Sequence, residues 1–191
     1  MVRVRMTRQE RYDQLMSHSW SIVREQGVDA LTLGRLAEVA GITKPVVYSH
    51  FPSRGVLLVA LYEQYDARQA ALLEESLVDV DGSLGAHARA IATSYVDCVL
   101  GEGLAGVAAA LEGTPDLAAL KRRSDEAYFE QCRDILAPFA DGNVIPSASM
   151  VAAFGAAEAL SSAALDGRLA RADALEELTA TIVSTVDRCR S

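Results

Sequence analysis

The sequence lacks most of the residues that would mark a catalytic or extracellular protein. It has only three histidines (His18, His50, His87), and none stands at metal-ligand spacing or in a triad-like set. No glycine-rich phosphate loop occurs, so an enzyme is not expected, nor is a metal or organic cofactor. Three cysteines, Cys98, Cys132 and Cys189, are odd in number and far apart, with no Cys-x-x-Cys. That argues against a disulfide framework, a zinc site and a thiol redox pair. Prolines number five and aromatics make up 6%, while half of the residues are apolar, many of them alanine. This balance suits packed helices and excludes a disordered chain. No apolar run is expected to cross a bilayer, and the basic stretch Met1 to Arg11 lacks the apolar core of a signal peptide. A cytoplasmic location is the default expectation.

The net charge of −8 is unevenly spread. Residues 1–55 hold eight Arg and Lys against five Asp and Glu, whereas the remainder holds ten basic and 21 acidic groups. A basic head on an acidic body suits a polyanion-binding domain joined to a domain with another task. The Lys121-Arg122-Arg123 cluster in the acidic part reads better as a solvated helix face.

What the chain does contain is concentrated in Thr32 to Arg54, TLGRLAEVAGITKPVVYSHFPSR. Thr32 fits a helix N-cap, and Leu33, Leu36, Ala37 and Ala40 follow at helical spacing. Gly41 supplies a stop, and Ile42 a plug for the turn. Thr43 fits a second N-cap, with Pro45 in the first turn, where its missing N–H has no helical partner. Val47 and Phe51 continue the apolar face, Lys44, Val46, Tyr48, Ser49 and His50 fall on other faces, and Pro52 ends the helix. Two short helices around a glycine turn form a helix-turn-helix, a unit whose second helix suits the DNA major groove. Many such units in helical proteins bind no nucleic acid, so spacing alone leaves DNA binding open.

The particular residues Gly27, Thr32, Leu36, Ala37, Ala40-Gly41-Ile42-Thr43, Tyr48, His50-Phe51 and Ser53-Arg54 resemble the N-terminal domain of the TetR family of bacterial transcription regulators. The resemblance runs from about Thr7 to Glu63. It implies that Lys44, Pro45, Val46 and Ser49 lie toward the major groove, where Lys44 can donate to guanine and Pro45 and Val46 can meet thymine methyl groups. It further implies phosphate contacts from Thr32, Thr43, Tyr48, His50 and Arg54. Some relatives place a basic side chain where this chain has Gly34. Here Arg35, one position along, is the available cation, and it suits a phosphate.

Thr7 and Glu10 fit a capping box opening a first helix that ends at Gly27. After Pro52 a long helix runs from Arg54 to about Val78, with Val56, Leu57, Val59, Ala60, Leu61, Tyr65, Leu72 and Leu73 on its apolar face. Further helices are expected over Ser83 to Leu100, Leu104 to Leu111, Thr114 to about Leu136, Ser147 to Asp166, and from an Asp173/Glu176 cap to near Arg190. The expectation is an all-α chain of about nine helices: a helix-turn-helix DNA-binding domain over 1–52, with its motif at about 33–52, and a ligand-binding and dimerisation domain over 53–191.

The small residues Ala152, Ala153, Gly155, Ala156, Ala159, Ser162 and Ala163, with Ile182 and Val186, suit a two-fold helical interface in a homodimer. Through the resemblance, Tyr62, Tyr65, Tyr95, Cys98, Glu112, Tyr128 and Phe129 become candidates to line a pocket for an unknown small-molecule effector. The function expected is a ligand-responsive repressor that binds a palindromic operator as a homodimer. The alternative is a helical small-molecule-binding protein with little or no specific DNA binding.

Overall fold

The computed structural model describes residues 6–102, 107, 110 and 115–190, with the backbone alone at 102 and 115–117. Among these residues the fold is all helical: α1 (Arg8–Gln26), α2 (Leu33–Val39), α3 (Lys44–His50), α4 (Arg54–Leu77), α5 (Leu84–Glu102), α6 (Pro115–Leu136), α7 (Ser147–Leu165) and α8 (Arg171–Asp187). Most of the short helix expected over Leu104 to Leu111 lies outside the described residues, as does the expected cap Thr114. The chain divides into two compact units, residues 1–64 with 102–119 and residues 65–101 with 120–191.

In the first unit, α1 opens on the full capping box. Thr7 Oγ1 accepts from the Glu10 backbone N–H at 3.2 Å, and the Glu10 carboxylate accepts from the Thr7 N–H at 2.6 Å. Hydrogen bonding to Thr7, first from its backbone N–H and then from its side chain, holds the Glu10 carboxyl below its ordinary range. Leu15, Met16, Ser19, Trp20, Ile22 and Val23 form the buried stripe of α1. The Trp20 indole N–H, which would be costly to leave unpaired, donates to Gln64 Oε1 at 2.7 Å. Contrary to expectation, Val56 is 44% exposed, and Leu58 takes a buried place on α4 beside Leu57 and Leu61.

The second unit is built on residues from five helices, with Leu73, Ala88, Ile91, Val96, Tyr128, Cys132, Phe154, Leu178 and Val186 in one apolar core. Helices α7 and α8 pack on each other. By length and composition α7 could cross a membrane, which the sequence reading did not anticipate. Its apolar character comes largely from alanine, and Met150, Ala153, Phe154 and Ala157 are buried in the protein's own fold. The Asp173/Glu176 cap is also corrected. Helix α8 begins earlier, at Arg171 after Ala170, with no side chain capping it. Instead Arg171 reaches across to α5 and makes paired hydrogen bonds to Asp97, at 2.7 and 2.8 Å. At the other end of α8, Arg190 Nε donates to the Phe139 carbonyl and the Asp141 N–H to the Cys189 carbonyl, tying the helix end to the turns before α7.

Leu36 is fully buried under the α2–α3 joint. Leu36→Ala should therefore lower the stability of the first unit by about 2–5 kcal/mol, the usual cost of truncating a buried leucine. Urea unfolding followed by circular dichroism checks this, and a loss under 1 kcal/mol would contradict the packing described.

Candidate functional site

The site grows from a two-helix joint. Helix α2 ends in a Schellman turn: the Gly41 N–H donates to the Glu38 carbonyl at 3.1 Å and the Ile42 N–H to the Ala37 carbonyl at 3.0 Å. The turn needs a left-handed residue, and Gly41 has φ +63°. Chain direction thus changes within four residues, and α3 starts at Lys44.

Helix α3 has seven residues and buries one of them fully, Val47, at 0% exposure. Phe51 follows at 1% and stacks obliquely on Tyr12 of α1, ring centroids 5.5 Å apart. With those two positions turned inward, the helical repeat leaves Lys44, Pro45, Val46, Tyr48 and Ser49 exposed. Tyr48 is 51% exposed, although a tyrosine ring ordinarily seeks cover. The face combines one ammonium, one phenol, one hydroxyl and two apolar surfaces, which are the groups that meet base edges, thymine methyls and phosphates.

The flanking candidates occupy different situations. Thr32 is exposed, and its Oγ1 accepts from the Arg35 N–H at 3.0 Å, so it caps α2 as expected. Thr43 stands at the N-cap of α3 without a side-chain cap bond, which differs from the cap role expected of its hydroxyl. Arg35 is exposed and lies 3.4 Å from Glu38. His50 is half-buried between Tyr12 and Phe51. Burial first, then the charges of Arg8 and Arg11, hold its imidazole below the ordinary histidine value.

Arg54 has a structural task that sequence reasoning missed. Its Nε donates to the Leu31 carbonyl at 2.8 Å and its Nη2 to the Val28 carbonyl at 2.9 Å. It thereby fastens the start of α4 to the turn before α2 and fixes the frame in which the joint sits. Spacing gives no sign of a bond reaching back 23 and 26 residues.

Of the effector-pocket candidates, Tyr95 lines a small cavity in the second unit, of about 10 Å³, together with Met150, Phe154, Leu178, Ile182 and Thr185. Tyr128 and Phe129 lie one ring away: Phe129 stacks on Phe154 at 3.9 Å, and Tyr128 meets it edge-on at 5.7 Å. Tyr62, Tyr65 and Cys98 are buried but do not line this cavity. Glu112 lies outside the described residues. Phe154 was missed because α7 was read as a small-residue interface, although its lone aromatic was the signal. A volume of this size holds about one water, far from the several hundred Å³ of a ligand pocket. Burial raises the Tyr95 and Tyr128 phenols above their ordinary range.

The interface candidates also separate. Ala152, Gly155, Ala159 and Ser162 are exposed on α7, with Ala156 and Ala163 half-buried. Ile182 and Val186 are buried in the chain's own core and present no surface to a partner.

Burial pushes the Cys132 thiol up to about 12, and Cys98 is 1% exposed, whereas Cys189 is half-buried. A disulfide reagent added to the native protein at pH 8 should modify Cys189 alone, with Cys98 and Cys132 reacting only on unfolding. Rapid modification of Cys132 in the folded protein, read by mass spectrometry, would contradict the closed body.

Residues 16–61 match the sequence profile of the bacterial regulatory proteins of the tetR family. No curated protein matches the sequence. Solved structures share the fold over nearly the whole chain. A TetR-family transcriptional regulator from Streptomyces coelicolor is 16% identical, with 94% of this chain and 96% of the other covered and a TM-score of 0.76. A protein of unknown function from Rhodococcus sp. RHA1 is 25% identical, with 94% and 95% covered and the same TM-score. The TetR-like regulator LfrR from Mycobacterium smegmatis, solved with proflavine, is 20% identical, with 94% and 97% covered and a TM-score of 0.68. The N-terminal domain thus resembles the bacterial regulatory proteins of the tetR family, and the chain shares its fold with solved TetR-family regulators.

Proposed function

We propose that this chain is a cytoplasmic, ligand-responsive repressor that binds a palindromic operator as a homodimer. The observation that carries the reading is the exposed face of α3, where Lys44, Pro45, Val46, Tyr48 and Ser49 stand clear over a helix anchored by Val47. No enzymatic step is part of the proposal. Residues 1–52 are the DNA-binding domain and 53–191 the ligand-binding and dimerisation domain. Lys44, Pro45, Val46 and Ser49 read base edges, while Thr32, Arg35, Thr43, Tyr48, His50 and Arg54 meet phosphates. For Arg54, the two bonds to backbone carbonyls favour a positioning part beside any phosphate contact.

A single head spans only a short half-site, so specific affinity calls for a second head at fixed spacing. The α7 stripe Ala152, Gly155, Ala159 and Ser162 supports pairing with a second copy, because small side chains allow close helix approach. The effector site belongs to the aromatic cluster around Tyr95, Tyr128 and Phe154. Since the cavity there is closed down to about 10 Å³, an effector must part these rings to enter. Helix α4 contributes residues to both compact units, which makes it a covalent route from effector to head. By linkage, the factor by which effector weakens DNA binding equals the factor by which DNA weakens effector binding.

Selection of duplexes from a random pool tests the reading. It should enrich inverted repeats with half-sites about one helical turn apart. Lys44→Ala should then relax preference at one base pair per half-site by about 1–3 kcal/mol. A pool that stays random leaves the small-molecule-binding alternative. Separately, Ala159→Arg would bury an unpaired charge in the proposed interface, and sedimentation should report monomer with the helical content retained. A tight dimer in that variant places the interface elsewhere.

A further inference from the structure

Lys44 does not lie along its own helix. Its side chain runs back over the first turn of α2, where a β-carbon placed on Gly34 would stand 3.7 Å from Lys44 Cε and 3.9 Å from Nζ. The same point is 3.9 Å from Thr32 Oγ1. The lysine head therefore lies against the small surface that residue 34 leaves bare, beside the cap of α2. A lysine in water samples many rotamers, whereas a stem laid on a helix surface is confined and presents its ammonium in one place. Such confinement before binding removes part of the ordering cost of the contact.

We propose that Gly34 is a specificity-determining residue that acts by positioning: its missing side chain seats Lys44 and so fixes which base pair the ammonium discriminates. The inference rests on the DNA-reading role proposed above. The three donors of the Lys44 ammonium then serve the base pair facing the α2–α3 joint, and the rest of α3 contributes Val46, Tyr48 and Ser49 at neighbouring positions. A methyl at position 34 would meet the lysine stem at ordinary contact distance, so Ala is compatible with the seat. A longer side chain would occupy the volume in which the ammonium sits. It would send Lys44 elsewhere without touching its charge.

The test compares variants on the duplex that the wild-type protein selects from a random pool, with every single base-pair change measured for each. Gly34→Ala, the conservative change, should retain discrimination at the Lys44 base pair. Gly34→Leu has no hydrogen-bonding groups and favours helix, and it should lose about ten-fold discrimination there, as Lys44→Ala does. The double variant should lose no more than either single change, because both remove one interaction. Thermal unfolding checks that each variant is folded, and Gly34→Met replaces Gly34→Leu should the latter not fold. The inference is overturned if Gly34→Leu and Gly34→Met keep the Lys44-dependent preference, if their losses multiply with that of Lys44→Ala, or if they change a different base pair. A wild-type protein that selects no duplex overturns the DNA-binding reading itself, and the inference with it. Selection by wild type followed by multiplying losses removes the seat alone.

Discussion

Everything proposed for this protein depends on how a seven-residue helix is held in place. Isolated helices of that length do not persist in water, because the cost of nucleation is not recovered over so few hydrogen bonds. Helix α3 is held through Val47, buried completely, and through Phe51 at its end, which packs on Tyr12. The Schellman turn at Gly41 sets its direction relative to α2, and Leu36 and Ala37 hold α2 from beneath. Arg54 closes the frame from the other side through its bonds to the Val28 and Leu31 carbonyls. Because anchoring uses the inward positions, the outward ones are released from packing duty. Their composition can answer to a ligand alone.

The second unit follows a different physical logic. Its centre is an aromatic group, Tyr95, Tyr128, Phe129 and Phe154, and the cavity lined by Tyr95 and Phe154 is only about 10 Å³. Phenols there are kept neutral by burial, and the Tyr128 hydroxyl lies 3.4 Å from Ser94 Oγ, so the polar atoms of the cluster are few. An effector suited to such a centre is apolar and uncharged for the most part, since nothing in the lining would compensate a buried charge. In the proposed reading, entry requires rings to move, and moving rings is the means by which occupancy would be felt by the helices that carry them.

Much of the head was legible before any coordinates, because its signals are local. The capping box at Thr7 and Glu10, the cap at Thr32, the left-handed Gly41 and the inward pair Val47 and Phe51 all follow from spacings of three or four residues. What was not legible is non-local or a matter of side-chain path. The carbonyl bonds of Arg54 span more than 20 residues, and the return of Lys44 over Gly34 depends on the angle of the turn. In the body, periodicity marks an apolar face but not what covers it. Ile182 and Val186 were expected at an interface and instead fill the core. The Asp173/Glu176 cap failed for a related reason: Arg171 is tied to Asp97 of α5, so the helix starts where that contact fixes it.

The central claim is that the outward face of the α2–α3 joint is where DNA is read. Amide chemical-shift mapping on titration with a selected duplex tests it directly. The account predicts the largest changes between Thr32 and Arg54, strongest at Thr43, Lys44, Val46, Tyr48 and Ser49, with residues of the aromatic cluster moving far less. Changes centred instead on the basic stretch Lys121 to Arg123, or spread evenly along the chain, would contradict it.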